Sequence, residues 1–396
     1  MGASEQLAVR IVTEFADRTG VGSSRPAKRY LWTDAFAVCT FLGLWRATKN
    51  TYFLEQANLL IDLVHETLGK HRLDDPRRGW IGGLSEAEGQ THPTRGGLRI
   101  GKPLPERLRD EPLDPELEWE QDGQYFHYLT QWMHALDQTA RATHNPKYSQ
   151  WAQELAVRSH EAFTYLQPQT GRRLMAWKMS IDLSRILVPS MGQHDPLDGY
   201  ITCAQLRATA LQLGAAENSK LGRVQADFAT MAELGRWATP DPLGIGGLLW
   251  NAYRAEQLCQ RGDFLPEALV PALLEAALAG LRSYARQHPQ TRPAAERLAF
   301  RELGLAIGLK AMAKMSNNTL KVRDSRVDSL LLTLRPYLKL QPLIQAFWSN
   351  LDNRREETWI AHRDINAVML ATSLVPDGCM TLSGLDSTAT GMGAQS

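Results

Sequence analysis

The sequence predicts an all-α protein whose helices pair into a closed ring of six hairpins. Apolar residues recur at helical spacing through most of the chain, and alternating β-branched runs are nearly absent. Helices rich in small and aromatic residues alternate with helices that are more evenly amphipathic and charged, the rhythm of an inner and an outer layer. One hairpin turn also occurs twice. Arg46-Ala47-Thr48-Lys49-Asn50-Thr51-Tyr52 returns, with one inserted residue, as Arg141-Ala142-Thr143-His144-Asn145-Pro146-Lys147-Tyr148.

Taken in order, helices are predicted over 4–17, 28–48, 51–70, 123–143, 146–166, 199–213, 219–237, 244–260, 266–288, 294–314, 324–338, 343–351 and 357–374. The inner set begins near Lys28, Gly123, Gly199, Gly244, Ala294 and Glu357. The outer set begins near Thr51, Pro146, Ser219, Pro266 and Asp324, and the N-terminal helix is left to cover the sixth inner one. Six inner and six outer helices make an (α/α)6 toroid, a single domain over 1–375. Two long irregular stretches interrupt it, 71–121 and 167–197. Unstructured loops beyond about 15 residues are uncommon in compact domains, so 71–121, with Trp80 and Trp119, is predicted to fold as a flap over the pocket. The Gly, Ser and Thr-rich segment 376–396 is expected to be a disordered tail.

Composition narrows the function classes. Apolar residues at 43% and charged residues at 22% allow a sizeable core. With 44 basic against 43 acidic side chains, and no basic block beyond Arg77-Arg78 and Arg354-Arg355, a nucleic-acid partner has no electrostatic support. No stretch approaches the roughly 18 apolar residues that span a bilayer. The first twenty residues carry Glu5, Arg10, Glu14, Asp17 and Arg18, unlike a signal peptide, so the expected location is cytoplasmic. The four cysteines form no CxxC pair.

Chemistry is expected where inner helices start. Asp34, Asp122, Asp198 and Asp364 occupy comparable positions there, and parallel inner helices would bring them to one end. An aspartate at a helix start also caps free backbone N–H groups, which accounts for any one of them without function. Carboxylates crowded in a dry pocket repel each other, leaving one protonated and one ionised, the equipment of glycoside hydrolysis. Asp34 and Asp122 are the first acid and base candidates, and His194 with Asp195 the next pair. The latter lie in the polar run Ser190-Met191-Gly192-Gln193-His194-Asp195-Pro196-Leu197-Asp198-Gly199-Tyr200. Trp32, Trp119, Tyr125, His127, Asp198, Tyr200, Trp359, His362, Arg363 and Asp364 are candidate substrate contacts. Among these, aromatic rings suit sugar stacking and Arg363 suits a carboxylate. Cys39, His127 and Cys203 each stand five residues after an inner-helix aspartate and could converge on zinc. Equivalent packing explains that spacing as well, and no metal or other cofactor is expected.

The hairpin count, the Thr-x-Asn turn followed by Tyr and Ala, and the helix start Leu31-Trp32-Thr33-Asp34-Ala35-Phe36 together resemble the six-hairpin glycosidase superfamily over about 4–374. That resemblance implies an (α/α)6 toroid and a small-molecule or oligosaccharide substrate, handled by hydrolysis, by epimerisation or isomerisation, or by lyase chemistry. In its unsaturated glucuronyl hydrolases aspartates at inner-helix starts are catalytic, for which Asp34 and Asp122 are the nearest matches. Its epimerases use inner-helix histidines, for which His127, His194 and His362 would stand. A helical-repeat scaffold that binds a peptide or protein on a concave face is the non-catalytic alternative. The sequence leaves the oligomeric state open.

Overall fold

A computed structural model describes residues 1–233, 236–287, 289–318 and 324–382. The repeated turn shows why the hairpins form. Lys49 and His144 end their helices in the left-handed conformation, at φ 58° and φ 54°, and Asn50 and Asn145 then cap the next helices through the amides of Tyr52 and Lys147. Thr48 and Thr143 each bond back to the carbonyl four residues earlier and accept the amide of the following Asn at 3.3 Å. Two matching sequences thus build one geometry.

The chain runs from α1 (Ala3–Arg18) to the hairpin α2 (Leu31–Thr48) and α3 (Thr51–Leu68), then through the short helices α4 (Glu86–Thr91) and α5 (Pro115–Glu120). Next come β1 (Gln124–Tyr125) and the hairpin α6 (Phe126–Thr143) and α7 (Pro146–Phe163). Strands β2 (Thr164–Leu166), β3 (Arg173–Met175), β4 (Lys178–Met179) and β5 (Ile186–Val188) precede α8 (Asp195–Gln212) and α9 (Leu221–Ala232). Then follow α10 (Pro242–Cys259), α11 (Leu269–Arg286), α12 (Ala299–Asn317), α13 (Ser325–Leu334), α14 (Leu340–Ser349), α15 (Glu357–Ile360), α16 (Arg363–Leu374) and α17 (Asp377–Met380).

Helices α2, α6, α8, α10, α12 and α16 pack each on the next, and α16 packs on α2, so the inner ring closes. Outside it α3, α7, α9 and α11 back their own partners, α14 backs α12, and α1 backs α16. The inner helices are apolar nearly all round, as α2 illustrates with residues 31–44 all buried, because both faces meet protein. At the α10–α12 contact Gly246, Gly304 and Gly308 let the backbones touch, since a Cβ on Gly246 would lie 2.2 Å from the Gly304 carbonyl oxygen.

Several expectations need correction. Residues 164–166, predicted as the end of a helix, form β2 and pair with β3. The two irregular stretches are ordered by each other. Buried Gln124 accepts the Leu98 amide and donates to the Ile181 carbonyl at 2.6 Å, while Arg77 joins Asp75, Glu106 and Asp182. The expected tail begins with structure: α17 buries Gly378, Cys379 and Met380 against the inner ring. Residues 383–396 of that tail lie outside the described residues. No helix is long and apolar enough to cross a membrane among the described residues.

Candidate active site

At the end where the inner helices start lies a cavity of about 370 Å³ to which all six contribute. Trp32 and Phe36 come from α2, His127 and Gln131 from α6, Asp195 and Asp198 from α8, Trp250 and Asn251 from α10, Arg301 from α12 and Met369 from α16. The segment 167–197 adds Trp177, Gly192, Gln193 and His194, whereas nothing from 71–121 lines it. The covering role expected of 71–121 therefore falls to the second irregular stretch. Residues 71–121 instead brace the start of α6.

Asp195 and Asp198 stand on the first turn of α8, where i and i+3 side chains share a face. Asp195 is 4% exposed, and its Oδ2 has no hydrogen-bond partner. Burial, and then the neighbouring Asp198 charge, push its carboxyl up to about 8. Burial also raises Asp198, opposed by His194, by Asn251, whose amide donates to Oδ1 at 2.7 Å, and by Arg254. Arg254 in turn donates to Asn251 Oδ1 at 3.1 Å, which fixes the side-chain amide so that its NH2 faces Asp198. His194 is held through Nε2 against the Trp237 carbonyl at 2.7 Å.

His127 Nδ1 faces Asp195 Oδ1 at 3.9 Å and is otherwise unpartnered. Burial pulls the imidazole down to about 4, so it is neutral at physiological pH. Its ring lies parallel to Trp177, within 8°, and stacks on Tyr125. The indole nitrogens of Trp32 and Trp250 are buried without partners. Arg301 pairs with Asp241, which also caps α10 through the Gly244 amide. The cavity thus collects one carboxyl held protonated, a second beside it, a neutral imidazole, and indole rings with free N–H groups.

Of the residues singled out in the sequence, Trp32, His127, His194, Asp195 and Asp198 meet here. The others do not line the cavity. Asp34 is buried against Arg29 at 3.4 Å and accepts the Tyr30 amide, closing the first turn of α2; burial raises it to about 6. Asp122 precedes α6 and accepts the amides of Gly101, Lys102 and Gly123 together with Arg99 at 2.9 Å, a latch between flap and barrel. Asp364 pairs with Arg18 at 2.7 Å and with Lys28. Tyr125 supports His127 from behind, and Trp119 packs on Trp177 while remaining 53% exposed. Trp359 stacks on Trp348 in the core; His362 and Arg363 are exposed, and Tyr200 is half-buried on α8. Cys203 does not join Cys39, and neither does His127.

Sequence reasoning missed Phe36, Trp177, Asp241, Trp250, Asn251 and Arg301. One signal was available: Asp195-Pro196-Leu197 recurs as Asp241-Pro242-Leu243, each opening an inner helix, so Asp241 could have been found by the same internal comparison.

No protein-family profile matches the sequence, and no curated protein matches it. Solved structures do match the fold. An α-mannanase of glycoside hydrolase family 76 from Bacteroides thetaiotaomicron aligns over 95% of this chain and 96% of its own at 9% identity, with a TM-score of 0.57. An α-1,6-mannanase of the same family from a Salegentibacter species aligns over 96% and 100% at 10% identity, with a TM-score of 0.50. An inactive variant of that enzyme, with two adjacent aspartates replaced, was solved with α-1,6-mannotriose. The chain shares the (α/α)6 toroid fold of these structures.

Proposed function

We propose that the chain is a carbohydrate-active enzyme that hydrolyses a glycosidic bond, with Asp195 as general acid and Asp198 as its ionised partner. The observation that carries this reading is the pair of carboxyls one turn apart in the cavity where the inner helices start, with Asp195 pushed up to about 8. Two close buried carboxyls cannot both ionise near neutrality, so the pair holds one proton. Asp195 keeps it and passes it to the departing glycosidic oxygen. Asp198, fixed at Oδ1 by Asn251, keeps Oδ2 for the anomeric carbon or for the water that attacks it.

Trp32, Trp177 and Trp250 give the cavity apolar walls for sugar faces, and the free indole N–H groups can donate to hydroxyls. A cavity lined from all six inner helices with converging titratable groups favours an enzyme over a scaffold with a shallow groove. The mannanases of this fold make α-linked mannose oligosaccharides the first substrates to try. The aspartates replaced in the inactive mannanase variant are adjacent in its sequence, whereas Asp195 and Asp198 are three apart; the adjacent aspartates of this chain, Asp74-Asp75, engage Arg72 and Arg77 outside the cavity. Purified protein should release reducing ends from a member of an α- and β-linked oligosaccharide panel. Release that persists in Asp195→Asn would defeat the assignment.

A second reading rests on His127. A neutral imidazole with an unpartnered Nδ1 opposite a protonated carboxyl is a base and acid pair for isomerising a sugar next to its carbonyl carbon. Incubation of free hexoses in deuterium oxide separates the two readings: isomerisation places solvent deuterium on carbon, and hydrolysis does not.

A further inference from the structure

Beneath the cavity, α17 lies across the lower part of the ring. It comes close because Gly378 and Gly43 carry no side chains; a Cβ on Gly378 would lie 2.0 Å from the Cys39 carbonyl oxygen and 2.3 Å from the Gly43 amide nitrogen. This approach brings Cys379 to Cys39 of α2 and His134 of α6. One ligand atom from each of the three lies within 4.8 Å of the others. Tetrahedral bonds of roughly 2.0–2.3 Å from zinc to nitrogen and sulfur hold ligand atoms about 3.5–3.8 Å apart, so the three need draw in by at most about 1 Å. All three residues are at most 2% exposed.

The surroundings of His134 point to a cation. Its Nδ1 meets Gln205 Oε1 at 3.1 Å, and that oxygen is identified as an acceptor because Arg254 donates to it twice, at 3.0 and 2.7 Å. Its Nε2 meets the Cys379 carbonyl oxygen at 2.8 Å. Two acceptors face one ring, and a neutral imidazole carries a single N–H. With Nδ1–H donated to Gln205, Nε2 carries a lone pair that faces the Cys379 carbonyl oxygen beside the two thiols, an unfavourable contact that is relieved if the carbonyl turns aside and a cation takes the nitrogen. A metal-bound histidine is oriented in this way by its other nitrogen.

We infer that Cys39, His134 and Cys379 form a buried site for a thiophilic d10 cation, Zn²⁺ or Cu⁺, which pins α17 to the inner ring. Two thiols and an imidazole are soft donors that select these ions over magnesium, calcium or manganese. Binding displaces the two thiol protons and leaves the imidazole neutral, with no change of oxidation state. Three protein donors are present; zinc, which takes four in structural sites, would complete its set with water. The remaining cysteines, Cys203 and Cys259, stand apart from the cluster.

The test is the metal content of the full chain. Protein purified under reducing conditions, without chelator, should carry about one zinc or copper per chain by plasma mass spectrometry, as structural thiolate sites hold their ion tightly. Cys39→Ser and Cys379→Ser should each lose it, while Cys203→Ser and Cys259→Ser should keep it. Should Cys39→Ser not fold, Cys379→Ser on the four-residue α17 and the wild-type titration still decide. In that titration reduced, metal-free protein is offered zinc against a chromogenic chelator and cuprous ion against bathocuproine. Wild type that takes up neither ion, or that is isolated with a Cys39–Cys379 disulfide and no metal, overturns the site. So does equal metal loss from Cys203→Ser.

Discussion

The aspartates at the inner-helix starts fall into two regions that look alike in sequence and differ in what surrounds them. Asp34 and Asp195 are both almost fully buried, and burial raises both carboxyls. Asp34 meets an amide and the Arg29 guanidinium, and Asp122 meets three amides and two arginines. Asp195 Oδ2 meets nothing. A buried polar atom is normally satisfied, and the exception calls for a reason. Satisfied carboxylates hold the barrel and its flap in place; the unsatisfied one opens on a cavity that can supply its partner as substrate.

The largest effect is expected at Asp195. Asp195→Asn should cut turnover by about 10²-fold or more with the fold unchanged, because it removes the transferable proton and keeps the shape; circular dichroism beside a rate measurement checks both halves. Asp122→Ala should do the reverse. It leaves the Arg99 charge and several amides unanswered, and should cost roughly 3–5 kcal/mol of stability in denaturant titration, with the folded fraction retaining its rate.

Stability also depends on pH through Asp195. The Asp195 carboxyl is raised in the folded chain, so its protonated form favours folding. That contribution is full below the ordinary carboxylate range near 4 and is lost as pH rises through about 8. Asp195→Asn should therefore flatten the fall in stability between pH 4 and 8. Asn251→Ala removes the donor that holds Asp198 down, so the acidic limb of the rate profile should move to higher pH, with about a tenfold loss of rate below it. The smallest effect is expected at the exposed His362, where alanine should change neither rate nor stability by more than about 0.5 kcal/mol.

Much of this architecture was legible because a helix writes its period into the sequence. The inner and outer alternation, the repeated Thr-x-Asn turn and the closure by the N-terminal helix all follow from local pattern. Strands of two or three residues are too short to show a period, which is why β1 to β5 went unread. The site was half legible. His194, Asp195 and Asp198 announced themselves as a polar run, whereas Trp177 sits in an irregular segment and Asn251 is an ordinary helical amide until Arg254 and Asp198 flank it. Asp34 and Asp122 read like the carboxyls that line the cavity, because a carboxylate's surroundings depend on which distant groups answer it. Cys379 and His134 are 245 residues apart, and only the folded ring brings them together.

The pairing of α1 with α16 has a consequence for how the chain is made. Arg18 bonds to a partner 346 residues downstream. In thermodynamic terms such a span is cheap, because closure entropy grows only with the logarithm of loop length. Its burden is one of timing. At roughly 5–20 residues per second a ribosome needs tens of seconds to deliver Asp364 after Arg18. During that interval Ile11, Val12 and Phe15, buried in the finished barrel, have no sixth wall to cover them. Until then the nascent chain is an open arc with an apolar edge, and exposed apolar surface of that kind favours aggregation.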